Sequence, residues 1–188
     1  DFGITPWLRC PSIENQIIYP WTKTVETIKN KINEKFNVDI NIGKIQCYEN
    51  GNSFIRCHSD KIIDLDINTP IFITRFGATR TILLKNKING KQIKVPMKDN
   101  SLLVMGYSAN LKWTHGIEKN NTDSPSYSIV FRKSITYKHP SGYVFGNNTP
   151  FKLLEDVEQF LKNPDSFKVF YNKKEQNGKI LKCYSIEN

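Results

Sequence analysis

The sequence predicts a mainly β protein, a sandwich or barrel with flanking helices, and three observations predict it. Beyond the first fifth of the chain, apolar residues alternate with polar ones over one short segment after another. Only one stretch before them carries the helical period. Aromatic residues make up 12% of the chain, which suits a packed β core or a surface that stacks flat ligands.

In chain order, the opening segment contains Pro6, Pro11 and Pro20 and reads as extended loop with short strand. Over 22–36, Val25, Ile28, Ile32 and Phe36 share one face, with Lys and Glu opposite, which predicts one amphipathic helix. Strands are expected over 42–48, 54–58, 71–76 and 80–87. Asn89-Gly90 then supplies the chemistry of a two-residue type I′ hairpin turn. Further strands are expected over 92–95, 101–105, 114–118 and 127–134. Roughly eight closely spaced strands after one helix make a sandwich or barrel. The remainder changes character: Pro150 precedes a helix-like run over 151–161, and a hairpin follows with strands near 167–171 and 179–184 around Asn177-Gly178. No linker sets this part off. Residues 1–135 are therefore expected to form the core, and 136–188 an extension of helix plus hairpin packed on the same domain.

Composition bounds the function. A chain of 188 residues with 38% hydrophobic and 24% charged residues is globular and fits one core. Net charge is +9, from 27 Lys+Arg against 18 Asp+Glu. Such an excess draws polyanions, nucleic acid first and an anionic membrane surface second, although the Lys, Ile and Asn usage of an AT-rich genome raises Lys by itself. Cys10, Cys47, Cys57 and Cys183 form no C-x-x-C pair, which removes zinc-finger spacing and points to free thiols in a reducing, intracellular setting, cytoplasm or nucleus. No apolar run reaches membrane-spanning length and no signal peptide is visible. The chain begins at Asp1 without a methionine, which implies residues upstream.

The chain has only three histidines, and two of them carry the candidate chemistry. His58-Ser59-Asp60 ends an expected strand, and a spacing of two on extended backbone puts both side chains on one face. His115 lies in a later expected strand. Two histidines and one carboxylate make the facial set of non-haem Fe(II) oxygenases, which leaves coordination positions open on one side. The competing reading has His58 and His115 as ordinary hydrogen-bonded residues of the barrel.

The surrounding text favours the metal. Gln46-Cys47-Tyr48-Glu49-Asn50-Gly51, His58-Ser59-Asp60, Phe76-Gly77-Ala78-Thr79-Arg80-Thr81, Ser101-Leu102-Leu103-Val104-Met105, Trp113-Thr114-His115 and Pro125-Ser126-Tyr127-Ser128-Ile129-Val130-Phe131-Arg132 follow one another at characteristic spacing. Over about residues 1 to 135 this series resembles the AlkB family of Fe(II)/2-oxoglutarate-dependent nucleic-acid demethylases. The resemblance implies a double-stranded β-helix (jelly-roll) core, with Fe(II) held by His58, Asp60 and His115. It also implies 2-oxoglutarate as cosubstrate, decarboxylated to succinate while an N-methyl group on a DNA or RNA base is oxidised and leaves as formaldehyde.

The departures cluster on the cosubstrate. The family ends its core with R-x-N-x-x-x-R. Arg132 matches the last Arg, but the first Arg is replaced by Ser126 and the Asn by Ser128. That first Arg is the family's clamp on the far carboxylate of 2-oxoglutarate, and a serine cannot supply its charge or its paired donors. The family's N-x-Y is Gln46-x-Tyr48 here, on one strand face with Lys44. Two unusual cations are available for the vacant role, Lys44 and Arg75. For substrate, Trp7 and Tyr19 offer stacking faces to a flipped or single-stranded base, while Arg56, Lys61 and Lys112 flank the metal motifs and offer charge to phosphate. Lys61 follows Asp60 where relatives often have an acid, and the lid segment before the core is short. Two alternatives stay open: a catalytically impaired AlkB-like module that binds nucleic acid or protein, and an oxygenase acting on a substrate other than nucleic acid.

Overall fold

The computed structural model describes residues 3–9, 18–164, 168–176 and 179–187, the last two stretches by their backbone. The chain divides into two compact units, residues 19–133 and residues 1–18 with 134–188.

The unit 19–133 opens with helix α1, Lys23–Phe36. Thr22 is its N-cap and its hydroxyl accepts from the Val25 N–H, while Asn37 ends the helix in the left-handed region at φ 50. The Asn33 side chain then accepts from Ile40 N–H at 2.9 Å and turns the chain into the first strand of the unit. Eight strands follow: β2 Ile42–Tyr48, β3 Ile55–His58, β4 Ile71–Gly77, β5 Arg80–Asn86, β6 Gln92–Met97, β7 Ser101–Met105, β8 Trp113–Ile117 and β9 Ser126–Arg132. A short helix α2, Tyr107–Lys112, connects β7 to β8. The strands pair into two antiparallel four-stranded sheets of order β2-β9-β4-β7 and β3-β8-β5-β6. Apart from the β5–β6 hairpin, strands consecutive in sequence are dealt between the two sheets, which is the double-stranded β-helix, or jelly roll.

Alternation along the strands gives the first sheet two working faces. Phe72, Ile129 and Phe131 point outward and pack under Ile32, Val25, Ile28 and Phe36 of α1. Phe72 and Phe131 are fully buried there, each worth several kcal/mol to the fold. The opposite face carries Tyr48, Arg75, Ser126, Ser128 and Arg132, all buried although most are polar. Arg80 of β5 is a staple between loops: its guanidinium donates to the carbonyls of Asn50, Ser53 and Glu118 at 2.9, 2.5 and 2.9 Å.

In the other unit, β1 Thr5–Pro6, β10 Thr136–Lys138 and β11 Val144–Gly146 form a three-stranded antiparallel sheet of order β1-β10-β11. Helix α3, Leu154–Lys162, contributes Val157 to a cluster with Phe145 and Phe151. Strands β12 Lys168–Gln176 and β13 Lys179–Glu187 pair antiparallel. The expected turn at Asn177-Gly178 lies outside the described residues. No helix among them is long and apolar enough to cross a membrane.

Two expectations need correction. The turn after β5 is not a two-residue type I′ turn. The loop takes in residues 87–91 and only Gly90 has positive φ, at 70. Asn86 is the reason: its side chain accepts from the N–H groups of Ile88 and Asn89 at 2.9 and 3.2 Å, holding a helical turn that Gly90 then closes. The strand expected over 127–134 ends instead at Arg132, and β10 begins at Thr136 as part of another sheet. Between them the buried Ser134 hydroxyl donates to Thr136 O and receives Thr136 N–H, a local bonding pattern that replaces the ladder.

Candidate metal centre

Strand pairing builds the centre. β3 and β8 lie antiparallel with His58 directly opposite His115, and their rings stand 4.5 Å apart between centroids. The close approach needs Gly116: a Cβ there would sit 2.6 Å from the Ile55 carbonyl and 2.9 Å from Cys57 N. After His58 the chain turns so that Asp60 Oδ1 lies 3.7 Å from His58 Nε2 and 4.0 Å from His115 Nε2. One nitrogen from each ring and one carboxylate oxygen lie within 4.8 Å of one another, a spacing that three ligands of one divalent ion require.

Two of the three ligands, His58 and Asp60, are held from behind, while the buried Nδ1 of His115 has no partner among the described residues. His58 Nδ1 lies 3.0 Å from the Arg56 carbonyl, which only accepts, so the proton is on Nδ1 and the Nε2 lone pair faces the centre. Asp60 Oδ2 receives Arg132 Nε at 2.8 Å and Arg132 Nη2 at 2.6 Å, leaving Oδ1 to the centre. The backbone of Asp60 is clamped by buried Asn110 of α2, whose side chain accepts from Asp60 N–H and donates to Asp60 O, both at 2.9 Å. Ser59 Oγ donates to Trp113 O at 3.0 Å. Asn110 carries no sequence signature and went unread; only the fold shows what it holds.

Exposure is uneven: the His58 side chain is 47% exposed, against 10% for His115 and 9% for Asp60. Burial alone raises the Asp60 carboxyl, but Arg132, then His115 and His58, outweigh it and hold it below its ordinary value. Burial pushes His115 down to about 4, against the pull of Asp60 and with the help of His58 and Arg132. Both groups therefore sit at neutral pH in the forms that bind a metal, carboxylate and neutral imidazole.

The other expected residues fall into groups. Tyr48, Gln46 and Lys44 share one face of β2 opposite Ser126, Ser128 and Val130. The Tyr48 hydroxyl lies 3.4 Å from Gln46 Oε1. Arg75 of β4, opposite Ser128, is fully buried beside Tyr48, whereas Lys44 is half-buried. Arg132, expected on the cosubstrate, is engaged with Asp60. Arg56, Lys61 and Lys112 are exposed, and Tyr19 is exposed as well. Trp7 belongs to the other unit, where the Lys138 ammonium lies 5.0 Å from its ring. Cys47 and Cys57 are free, as expected, and exposed; Cys10 lies outside the described residues, and Cys183 of β13 is described by its backbone alone.

With this geometry in hand, comparison with known proteins decides the family. Residues 7–141 match the 2OG-Fe(II) oxygenase superfamily. The chain belongs to that superfamily. Within it the relatives are AlkB-like: DNA oxidative demethylase ALKBH2 of Bos taurus is 25% identical over 62% of this chain, and the alpha-ketoglutarate-dependent dioxygenase alkB homolog 3 of Homo sapiens is 28% identical over 65% of it. These matches take in 45% and 46% of the relatives' own lengths, so the chain spans about half of each. The superfamily takes Fe(II) and 2-oxoglutarate, and the donor set at the β3–β8 end fits the first: two imidazole nitrogens and a carboxylate oxygen, two of the three nearly buried.

Proposed function

We propose that this chain is an Fe(II)/2-oxoglutarate-dependent dioxygenase that oxidatively demethylates N-alkylated bases in DNA or RNA. The observation that carries it is the convergence of His58 Nε2, Asp60 Oδ1 and His115 Nε2, with the second oxygen of Asp60 held by Arg132. When bound there, Fe(II) supplies the centre at which O2 is activated at the expense of 2-oxoglutarate. The chain's own part is to present three ligands on one side and leave the other open. His58 is the solvent-facing ligand, so substrate approaches past it. Arg56, Lys61 and Lys112, exposed and close in sequence to the metal motifs, offer charge suited to a phosphate backbone, in keeping with the net charge of +9. A single-stranded or flipped base fits this picture, since an N-methyl group inside a duplex cannot reach a centre set among side chains. The names of both relatives, a demethylase and a dioxygenase, support the same reading. A nucleic-acid substrate places the work inside the cell, in cytoplasm or nucleus.

A second reading rests on one observation: Ser126 is fully buried where the family's carboxylate-clamping Arg belongs. On that reading the chain binds nucleic acid or protein without chemistry. Both are tested by incubating the protein with Fe(II), 2-oxoglutarate, O2 and single-stranded DNA and RNA carrying N-methylated bases. Loss of a methyl group by mass spectrometry, with matching formaldehyde and succinate and none of it in His115→Ala, is the expected result. Salt-sensitive binding of the strands without turnover supports the second reading. Succinate release without strand binding points to another substrate.

A further inference from the structure

The first sheet lays out the vacant clamp position in rows. Ser126 of β9 lies between Tyr48 of β2 and Gly77 of β4. In the next row toward the metal end, Ser128 lies between Gln46 and Arg75. One row further, Val130 lies between Lys44 and Ile73. The Arg75 side chain leans across to the first row. Its Nη1 is 3.5 Å from Ser126 Oγ, and its guanidinium carbon is 4.9 Å from the centre of the Tyr48 ring. Arg75 is fully buried, and its Nε and Nη2 have no hydrogen-bond partner among the described residues.

Among the described residues no acid neutralises this cation: the titratable groups acting on Arg75 are the Tyr48 hydroxyl and a second cation, Arg80. Arg80 spends its guanidinium on three backbone carbonyls, so it is structural and offers no relief. A buried donor without a partner is destabilising, and a buried charge without a counterion is more so. A small dianion removes that penalty, because a carboxylate takes two parallel N–H bonds from one guanidinium. Ser126 and Ser128 are the small residues that leave it space. Lys44 stands two rows from Ser126, is half-buried and lacks the fork.

Resting on the cosubstrate reading above, we infer that Arg75 of β4 clamps the far carboxylate of 2-oxoglutarate in place of the arginine that β9 lacks, with Ser126 Oγ and Tyr48 beside it. The clamp has changed strand and kept its face.

The test compares 2-oxoglutarate with 2-oxobutyrate, which has the same 2-oxo acid head and no far carboxylate, by calorimetric titration into Mn(II)-loaded protein under nitrogen. Wild type is expected to prefer 2-oxoglutarate by on the order of 100-fold. Arg75→Met loses that preference and still binds the head. Arg75→Lys keeps part of it, and Lys44→Met keeps it all. The double variant Arg75→Ser with Ser126→Arg, which restores the family's arrangement, regains it. Arg75→Met is expected to unfold at no lower a temperature than wild type, since an apolar chain replaces a charge without a partner, so lost binding is separable from lost fold. A preference that survives in Arg75→Met overturns the inference and leaves the cosubstrate reading standing. A wild type that holds Mn(II) but binds no 2-oxoglutarate overturns both.

Discussion

Asn110 makes a quantitative prediction about how the centre is held. Its side chain closes two hydrogen bonds of 2.9 Å with the backbone of Asp60, and it is 1% exposed. Asn110→Ala removes both partners and brings no water to replace them. The Asp60 N–H and carbonyl are then left unsatisfied, at about 1–3 kcal/mol each. The expected loss of stability in metal-free protein is about 2–4 kcal/mol, read by urea unfolding. The carboxylate also loses its anchor, with only Arg132 left to orient it. Removing an outer-shell support of this kind lowers metal affinity by about 10- to 100-fold, read by titrating Mn(II) and following its EPR signal. Asn110→Asp keeps the acceptor for Asp60 N–H and falls between the two. If Asn110→Ala costs stability but leaves Mn(II) affinity unchanged, Asn110 supports the loop and not the ligand, and the reasoning is wrong.

Three further outcomes are expected. The metal-free protein should lose stability as pH falls: His115 titrates at about 4 when folded and near 6.5 when unfolded, so its contribution is complete above about 6.5 and is lost on the way down to about 4. This is of order 3 kcal/mol in all, with the depressed Asp60 carboxyl adding a further loss below its ordinary value of 3.8, and pH-dependent urea unfolding measures it. Gly116→Ala puts a methyl 2.6 Å from the Ile55 carbonyl and pushes β3 off β8; Mn(II) affinity should fall by at least about 10-fold, and an unchanged affinity would mean that the His58–His115 spacing does not set metal binding. Phe72→Ala empties a fully buried site under α1 and should cost about 3–5 kcal/mol in thermal unfolding, while Mn(II) affinity stays at the wild-type value.

The sequence was most informative where one physical rule acts alone. β2 and β7 fall on their expected bounds, 42–48 and 101–105, because turn-forming residues mark their ends, Asn41 and Asn50-Gly51 for one and Asn100 and Gly106 for the other. The α1 helix shows its apolar stripe because the helical period runs through it unbroken. Helix α2 was not read, since six residues are too few to display a helical period. The metal ligands were legible as a spacing of two on a strand plus one distant histidine; their mutual geometry was not, because it depends on the pairing of β3 with β8. Asn110 stayed invisible because a buried amide that serves a backbone looks like any loop asparagine. Lys44 and Arg75 were indistinguishable by alternation, which puts both on the inner face. Packing separates them, by burying one fully beside Tyr48 and leaving the other half-covered.

The two-faced strands have a consequence for how such a protein changes over time. On β4 and β9 the residues that hold the molecule together and those that face the ligands occupy alternate positions, so either set drifts with little penalty to the other. A one-residue insertion is a different matter: in β9 it would exchange the places of Phe131 and Arg132, ruining the helix contact and the Asp60 partner in one event. Substitution is therefore the open route for variation in these strands. Neighbouring strands present their inward residues in shared rows, so a charge given up on one strand can be made good by a single codon change on the next, with the backbone left where it was.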